Sequence, residues 1–265
     1  MEIIEFAEKV KQSIMEQLAT EKKPGLVCPN GVNPHIDIDY PLMLRGLTVI
    51  NLHILTLAYA GSATAELDPE KAIQVIKKTG ASAEKELLEA TEGVNVLKGT
   101  FFATALFAAC YFRLQSNGME ITERTLSEEI AKLAKFITPE RDTKGAIVRE
   151  SFDIGGALQE AQSGYETVFA VTLPMYRELL SKGESKSDAN RKVLLKLIAT
   201  IDDTCMYSRQ CSLVDDAKKI ADYVLNNYTE ENVDAMCSYF ARTSLSTGGS
   251  GDLLILTILA NKIFK

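Results

Sequence analysis

The sequence has no tryptophan, two histidines and 7% aromatic residues in 265 positions. An interior with so few rings must be filled by leucine, isoleucine, valine, alanine and methionine. Strand-like alternation is almost missing, and the few β-branched runs, such as 168–172, sit inside helical periods. No dinucleotide-type glycine pattern follows a strand, which argues against a nicotinamide enzyme. No Ser-His-Asp or Cys-His order stands out either. The five cysteines are odd in number, scattered and without Cys-x-x-Cys, as in a reduced cytoplasmic protein. A basic excess is absent too. The net charge of −7 argues against broad binding of nucleic acid or anionic membrane, yet leaves room for a local basic pocket. The opening MEIIEFAEKVKQ is amphipathic and lacks the apolar core of a signal peptide. The uncharged stretch 46–66 is long enough to span a bilayer, but Asn51, His53 and its small residues suit a buried helix better.

Helical periodicity is what remains. Ile3, Phe6, Ala7, Val10, Ile14 and Leu18 form one stripe, and further helices are predicted at about 41–60, 69–90, 98–116, 122–137, 155–182, 187–207, 212–227, 230–242 and 249–264. Asp68 before Pro69 reads as an N-cap, and Ser212 with Asp215 as a capping box. TPERDTKG is a weak stretch between the two halves. The expected architecture is all-α, a single domain of about ten helices over residues 1–265. One segment breaks the pattern: KKPGLVCPNGVNPHIDIDYP, 22–41, holds four of the seven prolines and cannot be helical. A loop that long inside a compact domain is usually functional or disordered, and its apolar residues favour order.

Five places can carry chemistry. Asp202 and Asp203 stand in the last turns of the helix predicted at 187–207, where the macrodipole disfavours negative charge. A divalent cation such as Mg²⁺ would relieve the penalty, since it takes few carboxylates plus substrate phosphates. The plainer alternative is a solvated helix end neutralised by Arg209. LSTGGSGDLLI, 245–255, puts Ser246, Gly248, Gly249 and Ser250 at a helix start suited to an anion. Asp252 there would repel a bare phosphate but accept one carrying Mg²⁺; otherwise the loop is a flexible cap. EGVNVLKGT, 92–100, offers Asn95 and Lys98 before an apolar helix, without being a Walker A motif, and Lys98 is otherwise a loop lysine. Glu160 lies in a stretch rich in glycine and alanine, or is simply a surface glutamate. His35 and Asp37 share one side of an extended segment, and His35 could serve as a general base or a phosphate contact. His53 reads as a hydrogen-bonded core residue.

Taken in order, KPGLV (Lys23–Val27), His35 and Asp37, GVN..KG (Gly93–Gly99), G..QE..SG (Gly156–Gly164), DDT with Arg209, and S.GGS.DLL (Ser246–Leu254) resemble the triphosphoribosyl-dephospho-CoA synthase family over roughly residues 16–258. The resemblance implies an all-α enzyme that converts ATP and 3′-dephospho-CoA to 2′-(5″-triphosphoribosyl)-3′-dephospho-CoA and adenine. In that reading Mg²⁺ on Asp202, Asp203 and Asp252, with Lys23, Asn95, Lys98, Arg209 and the glycine loop, would hold the triphosphate. Glu160 or Asp37 would activate the attacking hydroxyl, and no general acid is assigned. Leu97 and Cys205 stand where the family commonly has histidine and asparagine. Two other readings stay open: a Mg²⁺-dependent N-glycosidic hydrolase, and a non-catalytic nucleotide-binding protein. An aspartate-rich prenyl-transfer enzyme ranks lower, because no second DDxxD-like motif faces the first. The sequence leaves a homodimer open. From the metal argument alone, Asp203→Asn should weaken Mg²⁺-dependent ATP binding more than folding.

Overall fold

A computed structural model describes residues 1–31, 33–138 and 144–264, and among these residues there are helices and no strand. In chain order they are α1 (Ile3–Ala19), α2 (Tyr40–Ala63), α3 (Pro69–Ala90), α4 (Lys98–Ser116), α5 (Glu123–Ala134), α6 (Lys144–Phe152), α7 (Gly156–Gln162), a π-helical stretch (Thr167–Thr172), α8 (Leu173–Ser181), α9 (Lys186–Thr200), α10 (Thr204–Gln210), a 3₁₀ turn (Cys211–Leu213), α11 (Val214–Asn226), α12 (Glu230–Thr243) and α13 (Gly248–Ile263).

The fold class agrees with the periodicity, but two long predicted helices are broken. The one at 155–182 stops after α7, where Gly164 and Tyr165 take φ of +74° and +57°. The chain then re-enters through the π-helical stretch before α8. The one at 187–207 stops at Thr200 because Ile201 is extended, with φ −90° and ψ 161°. α6 is an additional helix next to the weak stretch, of which residues 139–143 lie outside the described residues. The capping box expected at Ser212 does not form. Ser212 belongs to the 3₁₀ turn, and Leu213 stands at the N-cap of α11 without a side-chain bond. Asp68 does cap α3, accepting the amide of Lys71 at 3.0 Å. Asp39 does the same for α2 at Leu42, with Pro41 just inside the helix.

α4 and α13 are buried almost all round, as helices with apolar residues on every face must be. α2 packs on α1, α3 and α4. By length and composition α2 could cross a membrane. His53 on this helix is paired with Glu86 at 2.8 Å. Arg113, buried in α4, binds Glu129 of α5 at 2.6 Å and donates to the carbonyls of Thr64 and Leu67 just past α2. That supplies partners to a helix end that would otherwise bury bare acceptors. α2 and α4 approach closely at Gly61, where an added Cβ would lie 2.2 Å from the carbonyl oxygen of Ala109. That neighbour is backbone and cannot swing aside. Gly61→Ala is therefore expected to cost about 2–3 kcal/mol by overpacking, read as a lowered denaturation midpoint with an unchanged m-value.

The start of the 22–41 segment is tied to Thr247, at the N-cap of α13. The amide and hydroxyl of Thr247 donate to the carbonyls of Gly25 and Pro24 at 3.1 and 2.7 Å. Leu26 and Val27 are buried. Two stretches more than 200 residues apart in sequence thus form one wall of the site.

Candidate active site

One cavity of about 1760 Å³ takes in the start of α4, α7, the π-helical stretch, α10, the start of α13 and the 26–38 segment. A pocket for one drug-sized ligand has roughly 300–1,000 Å³. This one has room for two extended ligands.

The aspartate pair lies at a helix junction, not in the last turns of a helix. With α9 ended at Thr200, Asp203 becomes the N-cap of α10 and accepts the amide of Cys205 at 2.9 Å. It also accepts the amides of Gly249 (3.2 Å) and Ser250 (2.7 Å) and the hydroxyl of Ser250 (2.8 Å). Each carboxylate oxygen thus has two donors, which fills its lone pairs. The dipole argument reverses sign here, because negative charge is favoured at helix N-termini. It also follows that the amides expected to cradle a phosphate, at Gly249 and Ser250, are given to the protein's own carboxylate. Ser250 is fully buried and is not part of the cavity wall.

Asp202 turns away and pairs with Lys218 of α11 at 2.7 Å. Asp252, the fifth residue of α13, accepts the hydroxyl of Thr100 at 2.5 Å. This contact brings the carboxylate against the first turn of α4. An added Cβ on Gly99 would lie 1.9 Å from Asp252 Oδ2 and would push the carboxylate out of this position. Burial, aided by the charge of Asp203, raises the pKa of Asp252 to about 7. Burial also raises that of Asp203 despite its four donors. Among the described residues no three histidine, cysteine, aspartate or glutamate side chains converge as a metal site. All three aspartates expected from the sequence line the cavity; the charge of Asp203 bears on Asp252, while Asp202 is paired with Lys218.

The other expected residues divide the same way. Lys23 is buried, and its ammonium donates to the carbonyls of Gln17 and Leu18 at 2.6 and 3.2 Å. It closes the end of α1, which has no basic residue in its last turn, and is not part of the cavity wall. Burial lowers its pKa to about 8. Asn95, Lys98, Arg209, Ser246, Gly248 and Gly249 do line the cavity. Lys98 pairs with Glu84 of α3 at 2.9 Å, and Arg209 lies 3.6 Å from Asp37. His35 Nε2 is 3.5 Å from the hydroxyl of Ser246, while its Nδ1 is buried without a partner. Burial, and then Arg209, lower its pKa, so the ring is held neutral. Glu160 accepts the hydroxyl of Thr167 on Oε1 at 2.8 Å, and its Oε2 is buried with no partner. Burial raises its pKa.

Sequence reasoning missed Thr100, Glu84 and Tyr165, all on the cavity wall. Thr100 was within reach, since it follows the Lys98-Gly99 pair; Tyr165 is presented by a break inside a predicted helix, which periodicity does not reveal.

A family model described as ATP:dephospho-CoA triphosphoribosyl transferase matches residues 4–265. A protein of Acinetobacter calcoaceticus, named probable 2-(5″-triphosphoribosyl)-3′-dephosphocoenzyme-A synthase, is 27% identical over 265 residues, covering 96% of this chain and 89% of its own. The 2-(5″-triphosphoribosyl)-3′-dephosphocoenzyme-A synthase of Klebsiella pneumoniae is 28% identical over 213 residues, covering 77% and 70%. No solved structure matches the chain significantly. From the family match across nearly its whole length, the chain belongs to the ATP:dephospho-CoA triphosphoribosyl transferase family.

Proposed function

We propose that this enzyme transfers the triphosphoribosyl part of ATP to the 2′-hydroxyl of 3′-dephospho-CoA and releases adenine. The observation that carries the reading is the convergence of five separated blocks, through His35 and Asp37, Asn95 and Lys98, Glu160, Asp203 and Arg209, and Ser246 and Asp252, on one cavity roomy enough for two nucleotides.

The 2′-oxygen of the acceptor attacks C1′ of the ATP ribose, and the bond from C1′ to the adenine nitrogen breaks with its electron pair on the base. The proton from the hydroxyl goes to a carboxylate, and adenine takes up a proton as it leaves. Glu160 suits the first role better than Asp37. Its Oε2 is uncommitted and its pKa is raised toward neutrality, whereas Asp37 is exposed and faces Arg209. The carboxylates near C1′ also favour an oxocarbenium-like transition state. Arg209 and Lys98 bind triphosphate oxygens, and neutral His35 orients a substrate group beside Ser246.

Asp252 is the carboxylate that would hold Mg²⁺: it is half-buried, takes one hydroxyl donor and feels the charge of Asp203, whose own oxygens are taken by four donors, and a hard divalent cation needs few protein oxygens when phosphates supply the rest. When bound, the ion would neutralise the triphosphate so that it can lie over Asp252. The compartment we assign is the cytoplasm, in keeping with five cysteines that are all unpaired. The test incubates the purified protein with ATP and Mg²⁺, with and without 3′-dephospho-CoA, and follows free adenine and new CoA-derived mass. Adenine only with the acceptor, together with the triphosphoribosyl adduct, is expected. Adenine without the acceptor would make the protein a hydrolase, and tight ATP binding with no adenine a nucleotide-binding protein.

A further inference from the structure

Tyr165 is 1% exposed, yet it lies on the cavity wall and its hydroxyl has no hydrogen-bond partner. A buried hydroxyl left unpaired costs about 1–3 kcal/mol, so native structures rarely keep one without a use. The backbone is strained to present it. Tyr165 has φ +57°, a left-handed conformation that a bulky residue rarely adopts, immediately before a π-helical stretch. Both features cluster at functional sites. Glu160, five residues earlier, carries another partnerless buried atom on this wall, Oε2, and its charge bears on the phenol; Gln17 Oε1 and His35 Nδ1 are also partnerless on the wall, but neither group is among those that bear on the phenol. Among the described residues, the ionisable groups that bear on the phenol are Asp252, Cys110 and Glu160, and none is a cation. Burial and these neighbours raise its pKa well above the usual value, so it stays protonated and can donate.

Such a wall suits neutral hydroxyls and rejects phosphate. A phenol gives and takes a hydrogen bond, and a carboxylate accepts one; a phosphate dianion between them would meet the charge of Glu160, with no protein cation among the groups that bear on the phenol. We propose that Tyr165 and Glu160 form the subsite for the vicinal ribose hydroxyls of the acceptor, with Tyr165 on the 3′-hydroxyl and Glu160 on the attacking 2′-hydroxyl. This subsite enforces the 3′-dephospho form of the substrate. The inference deepens the transfer reading and rests on it.

The test is a binding cycle by calorimetry that does not need turnover. Wild type and Tyr165→Phe are each titrated with dephospho-CoA and with its 3′-deoxy analogue. Removing either hydroxyl alone is expected to weaken binding about tenfold, and removing both is expected to weaken it no further. CoA, with its 3′-phosphate, should bind wild type at least tenfold more weakly than dephospho-CoA. Because the phenol has no protein partner, Tyr165→Phe should melt no lower than wild type. Equal losses for both acceptors in the variant, as when a resident water satisfies the phenol, overturn the proposal. So does a lower melting temperature combined with independent effects. Coupled losses without turnover would retain the subsite and reject the transfer reading, whereas turnover without coupling would do the reverse. Failure of dephospho-CoA to bind wild type would reject both.

Discussion

Asp203→Asn is expected to lower the melting temperature by roughly 6–12 °C. The carboxylate holds four donors from three residues and ties the first turns of α10 and α13 together. Asparagine keeps one acceptor oxygen for the amides of Cys205 and Gly249 and turns its own amide toward Ser250, whose hydroxyl can rotate to accept but whose backbone amide cannot. One buried amide loses its acceptor and is opposed by a donor, and the remaining bonds lose their charge assistance, at about 3 kcal/mol together, and each kcal/mol moves the midpoint by about 2–4 °C in a chain of this size. Relief of the repulsion from Asp252 offsets a part of this. The geometry therefore reverses the order expected from the metal argument alone, in which ligand binding suffers more than folding. Thermal unfolding, alongside ATP binding with and without Mg²⁺, decides between them. An unchanged midpoint with Mg²⁺-dependent binding abolished would return Asp203 to a role as metal ligand only.

Asp252→Asn should have the opposite sign. The folded-state pKa of Asp252 is raised to about 7 from the ordinary 3.8, so the native state binds the proton more tightly than the unfolded chain. Its contribution is fully favourable below the unfolded value. It declines as pH rises through the window from about 4 to about 7, by at most about 4 kcal/mol before coupling to Asp203 is discounted. Asparagine has no charge to bury and can still accept from Thr100. The variant should match wild type near pH 4 and melt several degrees higher near pH 8. If Mg²⁺ and ATP occupy the space between the two carboxylates, adding them at pH 8 should raise the wild-type midpoint more than that of the variant. Parallel melting curves across this range would mean that Asp252 carries no such charge penalty, and would remove the main argument for a cation there.

These two aspartates also mark how far the residues alone could be read. The period of the apolar residues locates α2, α3, α4 and α13 to within a few positions, and the described residues of the proline-rich segment are free of helix up to Tyr40, where α2 begins and takes in Pro41. Periodicity failed where a single backbone torsion decides. Ile201 is apolar and in phase with α9, so nothing in the pattern announces that it is extended, although that one residue moves Asp203 from the end of one helix to the start of another. Tyr165 is the same case, in phase with a helix yet left-handed. Lys23 illustrates a different limit. Its place in a KPGLV block points to a ligand, but the local demand of the α1 carbonyls takes it inward. The site is legible as a set of blocks; which atoms within them remain uncommitted depends on hydrogen bonds between positions far apart in the chain.

The burial of α13 has a consequence for how the protein comes to exist in the cell. This helix lies between α1, α4, α8, α9, α10 and the π-helical stretch, and all of these leave the ribosome before it does. Until residues 248–260 emerge, the apolar faces of those helices have no central partner, and Asp203 has no Ser250 to hold. Folding must therefore wait for nearly the whole described chain to be synthesised, with the growing polypeptide exposed to chaperones and proteases meanwhile. A ribosome stalled after α12 would display an unclosed core and a site lacking one of its walls. Premature termination near this point should yield a degraded product, not a partly active enzyme.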